Sequence, residues 1–350
     1  MIFEIANQKV GTQNPPLIIA EMSGNHNNNI NKALEIVEAA AKAGAHAIKL
    51  QTYTADTLTL DVKGGDFEIK DKDSLWFGKN LYDLYEVAST PWEWHSTLMK
   101  KAKELGILCF SSPFDESAVD FLEDLNVPAY KIASFENNHL PLIRKVASTK
   151  KPLIISTGMA SIGDIEMAVN TARDAGAKHI ALLKCTSSYP ASPIDTNLST
   201  IPHLKKMFNC QIGLSDHTKG IGVSVGAVAM GATIIEKHFT LDRTEGGVDA
   251  EFSLEPNEME LLVNETYRCW QSIGSIKYGL TEKEKKSILF RRSIYVSEDI
   301  KEGEIFTKKN IRIVRPGFGD SPSLYEKIIG KKANKDFKKG TPLKLENIIT

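Results

Sequence analysis

Polar and charged side chains repeatedly follow short apolar runs in this chain of 350 residues. Eight runs of strand type end in such groups: Glu21; Lys49 and Gln51; Ser111 and Ser112; Lys131, Ser134 and Glu136; Ser156 and Thr157; Lys184, Thr186 and Ser187; Ser215, Asp216 and His217; Glu236, Lys237 and His238. One polar strand end carries little information. Eight in succession, each after an apolar run, predict that the polar groups converge on one axis and form a site.

Two lysines and three serines among these residues have the chemistry of an anion site. They are Lys49, Lys131, Ser112, Ser134 and Ser156. A ring of ammonium and hydroxyl donors suits a compact dianion, such as a phosphate or a phosphorylated carboxylate. Either lysine alone could instead cap a layer of the barrel or pair with Glu21 or Glu136. The two lysines together with three hydroxyls favour anion binding.

His217 and His238 end consecutive predicted strands, so both imidazoles could reach one ion together with Glu21 or Glu236. Imidazole and carboxylate ligands suit a divalent first-row metal with open positions for a substrate. Glu21 and Glu136 are the candidates for a general acid and base, because nearby lysines and a metal can tune a carboxyl pKa. The six other histidines lack such a pairing and receive no role.

The polar groups can meet only if the strands before them all end at the same face. The predicted strands are Leu17–Glu21, Ala47–Gln51, Ile107–Ser111, Ala129–Ala133, Leu153–Ser156, Ile180–Cys185, Gln211–Leu214 and Thr233–Lys237. Segments with helical apolar spacing separate them, which is typical of a parallel sheet covered on both faces. Eight such units predict an α/β fold, a (β/α)₈ TIM barrel with its active site at the carboxyl ends of the strands. The alternative, a doubly wound sheet, lacks a Gly-x-Gly-x-x-Gly motif after the first strand.

Two segments depart from this regular pattern. Residues 52–91 form a long excursion after the second predicted strand, and a loop of this length in a compact barrel is usually functional. A Lys/Glu-rich stretch follows the last helix. The predicted domains are therefore a barrel over 1–275, a linker over 276–289 and a small, turn-rich domain over 290–350.

Charge and cysteine content exclude several classes of protein. The net charge of −1 provides no field for nucleic acid or a membrane surface. Residues 281–350 carry +7 and residues 1–280 carry −8, so the two parts should attract each other within a chain or between chains. The four cysteines are widely spaced, Met1–Glu4 is unlike a secretory leader, and no apolar run reaches the length of a membrane span. We therefore expect a soluble cytoplasmic protein with reduced thiols.

The assembled motifs resemble the sialic acid synthase family, the phosphoenolpyruvate-dependent nonulosonic acid synthases. The matching segments are Ile19–His26, Ile48–Gln51, Ser112–Phe114, Tyr130–Ser134, Ser156–Met159, Cys185–Pro190, Gly213–Thr218, Glu236–Thr240, Asp249 and Arg315–Gly317. The resemblance implies a TIM barrel followed by a small domain like type III antifreeze proteins, the SAF domain. It also implies condensation of phosphoenolpyruvate with an open-chain amino sugar.

The resemblance assigns a role to each candidate residue. Phosphoenolpyruvate would be bound by Lys49, Ser112, Lys131, Ser134, Ser156 and Ser187; a divalent metal (Mn²⁺, Mg²⁺ or Co²⁺) by His217 and His238; the sugar by Gln51, Tyr189, Asp249 and Arg315. Glu21 or Glu136 would move the protons, and the sequence does not choose between them. The resemblance further implies a domain-swapped homodimer, in which Arg315 of one protomer reaches the sugar held by the other.

Within the family, two segments resemble the pseudaminic acid synthases: Leu81–Tyr85 and Thr90–Trp94. Ser187 stands where neuraminate-type members commonly have Asn, and an apolar, aromatic loop suits a 6-deoxy sugar because a methyl group gains from burial. The alternative substrate is a mannosamine-type sugar, as used by N-acetylneuraminate or legionaminate synthases.

Two rival functions stay open at this point. A Schiff-base aldolase could use Lys49, Lys131 or Lys184 as its nucleophile, because all three lie at predicted strand ends. The C-terminal module could also be an independent carbohydrate- or partner-binding domain, and likeness of fold alone does not decide function.

Overall fold

A computed structural model describes residues 3–349; Met1, Ile2 and Thr350 lie outside the described residues. Eight parallel strands close into a barrel in the order β10-β3-β4-β5-β6-β7-β8-β9. The strands of the chain are β1 Phe3–Ile5, β2 Gln8–Val10, β3 Leu17–Glu21, β4 Ala47–Thr52, β5 Leu108–Pro113, β6 Tyr130–Ile132, β7 Leu153–Ser156, β8 Ile180–Cys185, β9 Gln211–Asp216, β10 Ile234–His238, β11 Ser293–Val296, β12 Ile311–Val314, β13 Lys332–Ala333 and β14 Ile348–Ile349. The predicted TIM barrel is confirmed.

Helices surround the barrel and cover its outer face. The helices up to residue 274 are α1 Ile30–Lys42, α2 Ala55–Leu58, α3 Leu81–Ala88, α4 His95–Glu104, α5 Glu116–Asp124, α6 Leu140–Ser148, α7 Ile162–Asp174, α8 Thr200–Phe208, α9 Gly222–Ala229 and α10 Pro256–Ile273; the short α11 Tyr325–Ile328 belongs to the C-terminal unit of the chain. The first one shows why they form. The side chain of Asn29 accepts hydrogen bonds from the amides of residues 31 and 32, and Gly44 ends the unit at a φ of 84°. Between these ends, Ala33, Ile36, Val37 and Ala40 form one buried stripe.

Every predicted barrel strand is present, and the bounds differ by at most two residues. The strands are buried on both faces, since one face packs in the lumen and the other under the helices. Continuous apolar runs therefore mark the strands in the sequence.

An N-terminal hairpin that the sequence did not predict closes the lower end of the barrel. β1 and β2 pair antiparallel, Phe3 with Val10 and Ile5 with Gln8. Phe3, Ile5 and Val10 are buried in one cluster with lumen residues such as Leu17 and Phe110. The hairpin thus completes the core at the amino ends of the barrel strands.

The long excursion after β4 folds into α2, a short 3₁₀ turn over Gly65–Phe67 and α3 before it rejoins the barrel at α4. Two buried histidines hold its ends. His95 Nε2 bonds Thr52 Oγ1 at 2.8 Å, and His26 Nε2 bonds Thr90 Oγ1 at 3.2 Å. Burial lowers the pKa of both imidazoles to about 4, so both are neutral near pH 7. The excursion is therefore fixed to the barrel and not a loose loop.

The chain divides into two compact units, one up to Gly274 and one from Ser275 onward. The second unit has its own core, which includes Ile294, Phe306 and Phe337. Two antiparallel strand pairs, β11 with β12 and β13 with β14, frame this core. Among residues 3–349, no helix is both long and apolar enough to cross a membrane.

Candidate active site

A cavity of about 350 Å³ opens at the carboxyl ends of the barrel strands. The predicted site residues that line it are Lys49, Gln51, Lys131, Ser134, Glu136, Ser156, Tyr189, His217, His238 and Asp249. These residues come from six different strands or the loops that follow them, and the closed barrel brings them together. The predicted convergence of strand ends is thus visible in the geometry.

One side of the cavity floor is a bonded cluster around Lys49. Its Nζ lies 2.6 Å from Glu21 Oε2 and donates to Ser112 Oγ at 3.3 Å. Gln51 Nε2 donates to Glu21 Oε1 at 2.8 Å. Glu21 and Ser112 do not line the cavity; they lie behind Lys49 and Gln51 and hold them in place. Burial tends to lower the pKa of Lys49, but the charge of Glu21 raises it, so the ammonium stays charged.

The other side of the floor is built around Lys131. Its Nζ lies 3.2 Å from Glu236 Oε1, which also accepts from Ser215 Oγ at 3.0 Å. Burial lowers the pKa of Lys131, and the attraction of Glu236 only partly offsets that effect. Burial opposes ionisation of Glu236, yet Lys131 and Lys49 hold the pKa of this carboxyl below its ordinary value. Each floor lysine therefore has one carboxylate partner.

A close backbone approach forms a small cradle between the β6, β7 and β8 loops. Gly158 N donates to Ser134 Oγ at 3.2 Å. A Cβ at Gly158 would lie 2.1 Å from Ser187 Oγ and 2.7 Å from Ser134 Oγ, so a larger residue would displace these hydroxyls. Ser156 Oγ, on the cavity wall, is buried and has no hydrogen-bond partner. The cradle thus offers hydroxyl donors to a ligand.

Glu136 is a carboxyl of the cavity whose pKa is shifted toward neutrality. Burial raises the pKa of this carboxyl from 4.5 to about 7, against the opposing charges of Lys131 and Lys49. Its Oε2 is buried without a partner. Glu21 differs because both of its oxygens face Lys49 or Gln51. Glu136 is therefore free to exchange a proton with a ligand, whereas Glu21 holds other side chains.

The two predicted metal ligands, His217 and His238, lie side by side with ring centroids 5.3 Å apart. His217 Nδ1 lies 2.9 Å from the carbonyl oxygen of Thr186, which makes Nδ1 the donor, so Nε2 is the nitrogen that offers a lone pair when the ring is neutral. Burial holds the pKa of His238 well below its ordinary value, and its Nδ1 has no hydrogen-bond partner. Both imidazoles therefore have a nitrogen available for a cation.

The donors around the cavity fit a divalent cation with two protein ligands. Residues 3–349 contain no group of three His, Cys, Asp or Glu side chains arranged to hold a metal, so substrate and water would complete the shell. Three carboxyls, of Glu136, Glu236 and Asp249, share the lining with only two lysines. An additional positive charge would suit an anionic substrate at this site.

Asp249 and Tyr189 lie at the opening of the cavity. Asp249 accepts a hydrogen bond from Ser23 Oγ, and its Oδ2 is 3.6 Å from His238 Nδ1. Tyr189 contacts the His217 ring at a centroid distance of 4.5 Å. Burial raises the pKa of Asp249, which makes its carboxyl sensitive to the charge of whatever binds beside it.

An apolar and aromatic wall faces this polar opening. It consists of Tyr53, Leu58, Ile69, Trp76, Leu81, Leu84, Tyr85 and Ala88 from the excursion, with Phe114 and Val248. Trp76 fixes the wall across the mouth, because its Nε1 donates to the carbonyl of Val248 at 3.0 Å and its ring lies 5.8 Å from that of Tyr189. The excursion is thus part of the cavity.

Ser23 and Tyr53 are among the lining residues that sequence reasoning did not assign to the site. Each lies two positions beyond an identified residue, Glu21 or Gln51, so the alternation of side chains along an extended segment was the available signal. Lys184, one of the three candidate nucleophiles, is absent from the lining, and its Nζ donates to the carbonyl of its neighbour, Cys185. Arg315 belongs to the second unit and is a prediction that the barrel itself does not test.

Known proteins share both units of this chain. Residues 36–278 match the NeuB family and residues 291–349 match the SAF domain. A pseudaminic acid synthase from Campylobacter jejuni is 46% identical over 333 residues, which cover 95% of this chain and 96% of that protein. An N,N'-diacetyllegionaminic acid synthase from the same organism is 38% identical over 326 residues, covering 92% and 97%.

A solved structure agrees with these relatives. The N-acetylneuraminic acid synthetase of Leptospira borgpetersenii superimposes with a TM-score of 0.74 at 36% identity, covering 82% of this chain and 95% of that one. The resemblance read from the strand-end motifs is therefore confirmed over the barrel and the small domain alike. With its matching barrel, its SAF domain and relatives aligned over nearly their whole length, this chain belongs to the NeuB family.

Proposed function

We propose that this chain is a pseudaminic acid synthase. It condenses phosphoenolpyruvate with an open-chain 2,4-diacetamido-2,4,6-trideoxy-hexose of the altrose type and water, giving pseudaminic acid and phosphate. C3 of phosphoenolpyruvate forms the new carbon–carbon bond with the sugar aldehyde. Water adds at C2, and phosphate leaves with cleavage of its C–O bond. The observation that carries the proposal is one cavity with a floor of lysines and hydroxyls and an apolar wall facing it.

The floor suits phosphoenolpyruvate because its phosphate and carboxylate can each meet a buried ammonium. Lys49 and Lys131 are both at most 3% exposed, so their bonds to an anion are little screened by water. Ser134 and Ser156 add hydroxyl donors in the cradle beside Gly158. Ser112 acts through Lys49, to which it is bonded, and Ser187 closes the cradle from the β8 side.

Glu136 is the proton carrier of the proposed reaction. A carboxyl with a pKa of about 7 is present in both protonation states near neutral pH, so it can take a proton from the attacking water and return it to a product oxygen. His217 and His238 would hold a divalent ion, Mn²⁺, Mg²⁺ or Co²⁺. When bound, such an ion polarises the sugar aldehyde toward attack.

The apolar wall favours the 6-deoxy sugar over a mannosamine-type sugar. The methyl groups of the trideoxy hexose can bury against Trp76 and its neighbours, whereas the 6-hydroxyl of N-acetylmannosamine would lose its water there. A polar group left without a partner costs roughly 1–3 kcal/mol, which corresponds to about 5- to 150-fold in kcat/KM. The higher identity to the pseudaminic acid synthase than to the legionaminic acid synthase points in the same direction.

The decisive experiment measures phosphate release from phosphoenolpyruvate with a panel of amino sugars. We expect kcat/KM to be highest for the altrose-type trideoxy sugar, and product mass spectrometry in ¹⁸O-water to place the label in the nonulosonic acid and not in phosphate. Equal use of N-acetylmannosamine would refute the sugar assignment. Labelled phosphate, or trapping of substrate on Lys131 by borohydride, would favour different chemistry.

A further inference from the structure

A third buried ion pair lies directly behind the two imidazoles, outside the cavity. Asp216 precedes His217, and Lys237 precedes His238. Their side chains have no solvent exposure, and Lys237 Nζ lies 3.1 Å from Asp216 Oδ2. Side chains alternate along a strand, so residues next to lumen-facing histidines point outward, toward the helices. This pair therefore contacts neither the cavity nor its ligands.

The pair is fully bonded, and its partners surround His217. Asp216 Oδ1 accepts from the amide and the hydroxyl of Thr218 at 2.9 and 2.7 Å, and Oδ2 accepts from Ser224 Oγ on α9 at 2.6 Å. Lys237 Nζ donates to the carbonyl of Thr218. Asp216 and Thr218 flank His217 in the chain. The network thus connects both of them to Lys237, which precedes His238.

Stability alone does not account for such a pair. Two charges without access to water lose much of their hydration, and apolar residues of similar volume often serve a core equally well. An ion pair with directed hydrogen bonds instead fixes the relative positions of the residues that form it. β9 and β10 are adjacent in the barrel, with Asp216 opposite Lys237 in the register, so this bond sets how the ends of the two strands lie.

We propose that Asp216 and Lys237 are positioning residues that set the distance between the His217 and His238 imidazoles and thereby the affinity for a divalent ion. The inference rests on the metal site of the proposed function. An ion bound by only two protein ligands depends strongly on their spacing, since no third side chain among residues 3–349 compensates for a shift. Loss of the pair should therefore weaken metal binding while the cavity stays formed.

The test measures Mn²⁺ binding to the substrate-free protein by electron paramagnetic resonance of the free ion. The variants are Lys237→Met, Asp216→Asn and the double replacement Asp216→Leu with Lys237→Met, which removes both charges at once. We expect Mn²⁺ affinity to fall about 10- to 100-fold in each, the range typical for residues that orient ligands. Circular dichroism and thermal unfolding show whether each protein is folded.

Two controls make the result specific. Ile143→Val, a buried core change on α6 at a residue that takes part in none of the network's hydrogen bonds, should leave Mn²⁺ affinity unchanged whatever it does to the thermal midpoint. His217→Ala should abolish binding. If His217→Ala binds Mn²⁺ like the wild type, the proposed metal site itself is wrong.

A separate outcome tests the positioning role alone. If His217→Ala loses Mn²⁺ but the folded charge-free double variant binds it with wild-type affinity, Asp216 and Lys237 do not position the ligands. Should a single variant fail to fold because one charge is left buried, Ser224→Ala decides instead. It removes one hydrogen bond to Asp216 and should weaken Mn²⁺ binding by a smaller factor; wild-type affinity in this folded variant overturns the proposal.

Discussion

Replacing Glu136 by Gln should strongly reduce turnover and at the same time make the protein more stable at pH 8. Gln keeps the shape of the protonated carboxyl but cannot ionise. Above pH 7 the wild type holds a buried carboxylate whose pKa has risen from 4.5 to about 7, and this costs about 3 kcal/mol of folding free energy. The variant avoids that cost, so its thermal midpoint at pH 8 should exceed that of the wild type by several degrees.

The sign of the pH dependence follows from proton binding. Between pH 4.5 and 7 the folded state of the wild type holds the Glu136 proton more tightly than the unfolded state does, so the contribution of this group to stability falls as the pH rises through that window. The thermal midpoints of the two proteins should therefore converge as the pH is lowered from 7 toward 4.5. Turnover should drop about 10²- to 10⁴-fold in the variant, because this is the usual contribution of a general acid or base to the reaction rate.

The assay combines thermal unfolding from pH 5 to 8 with phosphate release at saturating substrates. Glu166→Gln is the matched control, because this glutamate is exposed on α7 and its replacement should change neither quantity. Equal midpoints of wild type and Glu136→Gln at pH 8 would contradict the raised pKa. Retained turnover in Glu136→Gln would show that the proton is moved by another group.

Three further changes test other parts of the site. Trp76→Ala should lower kcat/KM for the 6-deoxy sugar at least tenfold and leave the KM for phosphoenolpyruvate unchanged, because its ring lies on the apolar wall; a rise in that KM instead would contradict the assignment. Gly158→Ala should raise the KM for phosphoenolpyruvate more than tenfold, since its Cβ would meet a hydroxyl at 2.1 Å, whereas Gly163→Ala, with its nearest neighbour at 3.7 Å, should not. Arg315→Ala and Lys131→Ala, each inactive alone, should regain activity when their subunits exchange; exchange without recovery would rule out a site shared between two chains.

The barrel and most of its polar lining could be predicted because strand order and side-chain direction follow from local patterns. Each strand is buried on both faces and therefore appears as a continuous apolar run. Pairs of side chains that meet across the lumen could not be predicted, because no local pattern connects Lys131 with Glu236, 105 residues later. From the sequence, Lys131 had Glu21 or Glu136 as its possible partner; the closed barrel pairs it with Glu236.

The N-terminal hairpin escaped prediction for a related reason. Its strands are three residues long and carry polar outer positions, so periodicity over such short segments has little weight. His26 likewise received no role from its spacing, and only the folded excursion shows that it bonds Thr90. Features that depend on a long-range contact with a loop could thus not be predicted from the sequence.

The closed lower end of the barrel also restricts the routes by which small molecules reach and leave the site. Phe3, Ile5 and Val10 close the lower end, so the lysines are reached from the mouth of the cavity, where Trp76 lies. In the proposed reaction, a sugar seated against the apolar wall would lie between the floor and solvent. Phosphoenolpyruvate should therefore bind before the sugar, and phosphate should leave after the newly formed acid, so that an ordered sequence of binding and release is expected from the shape of the barrel.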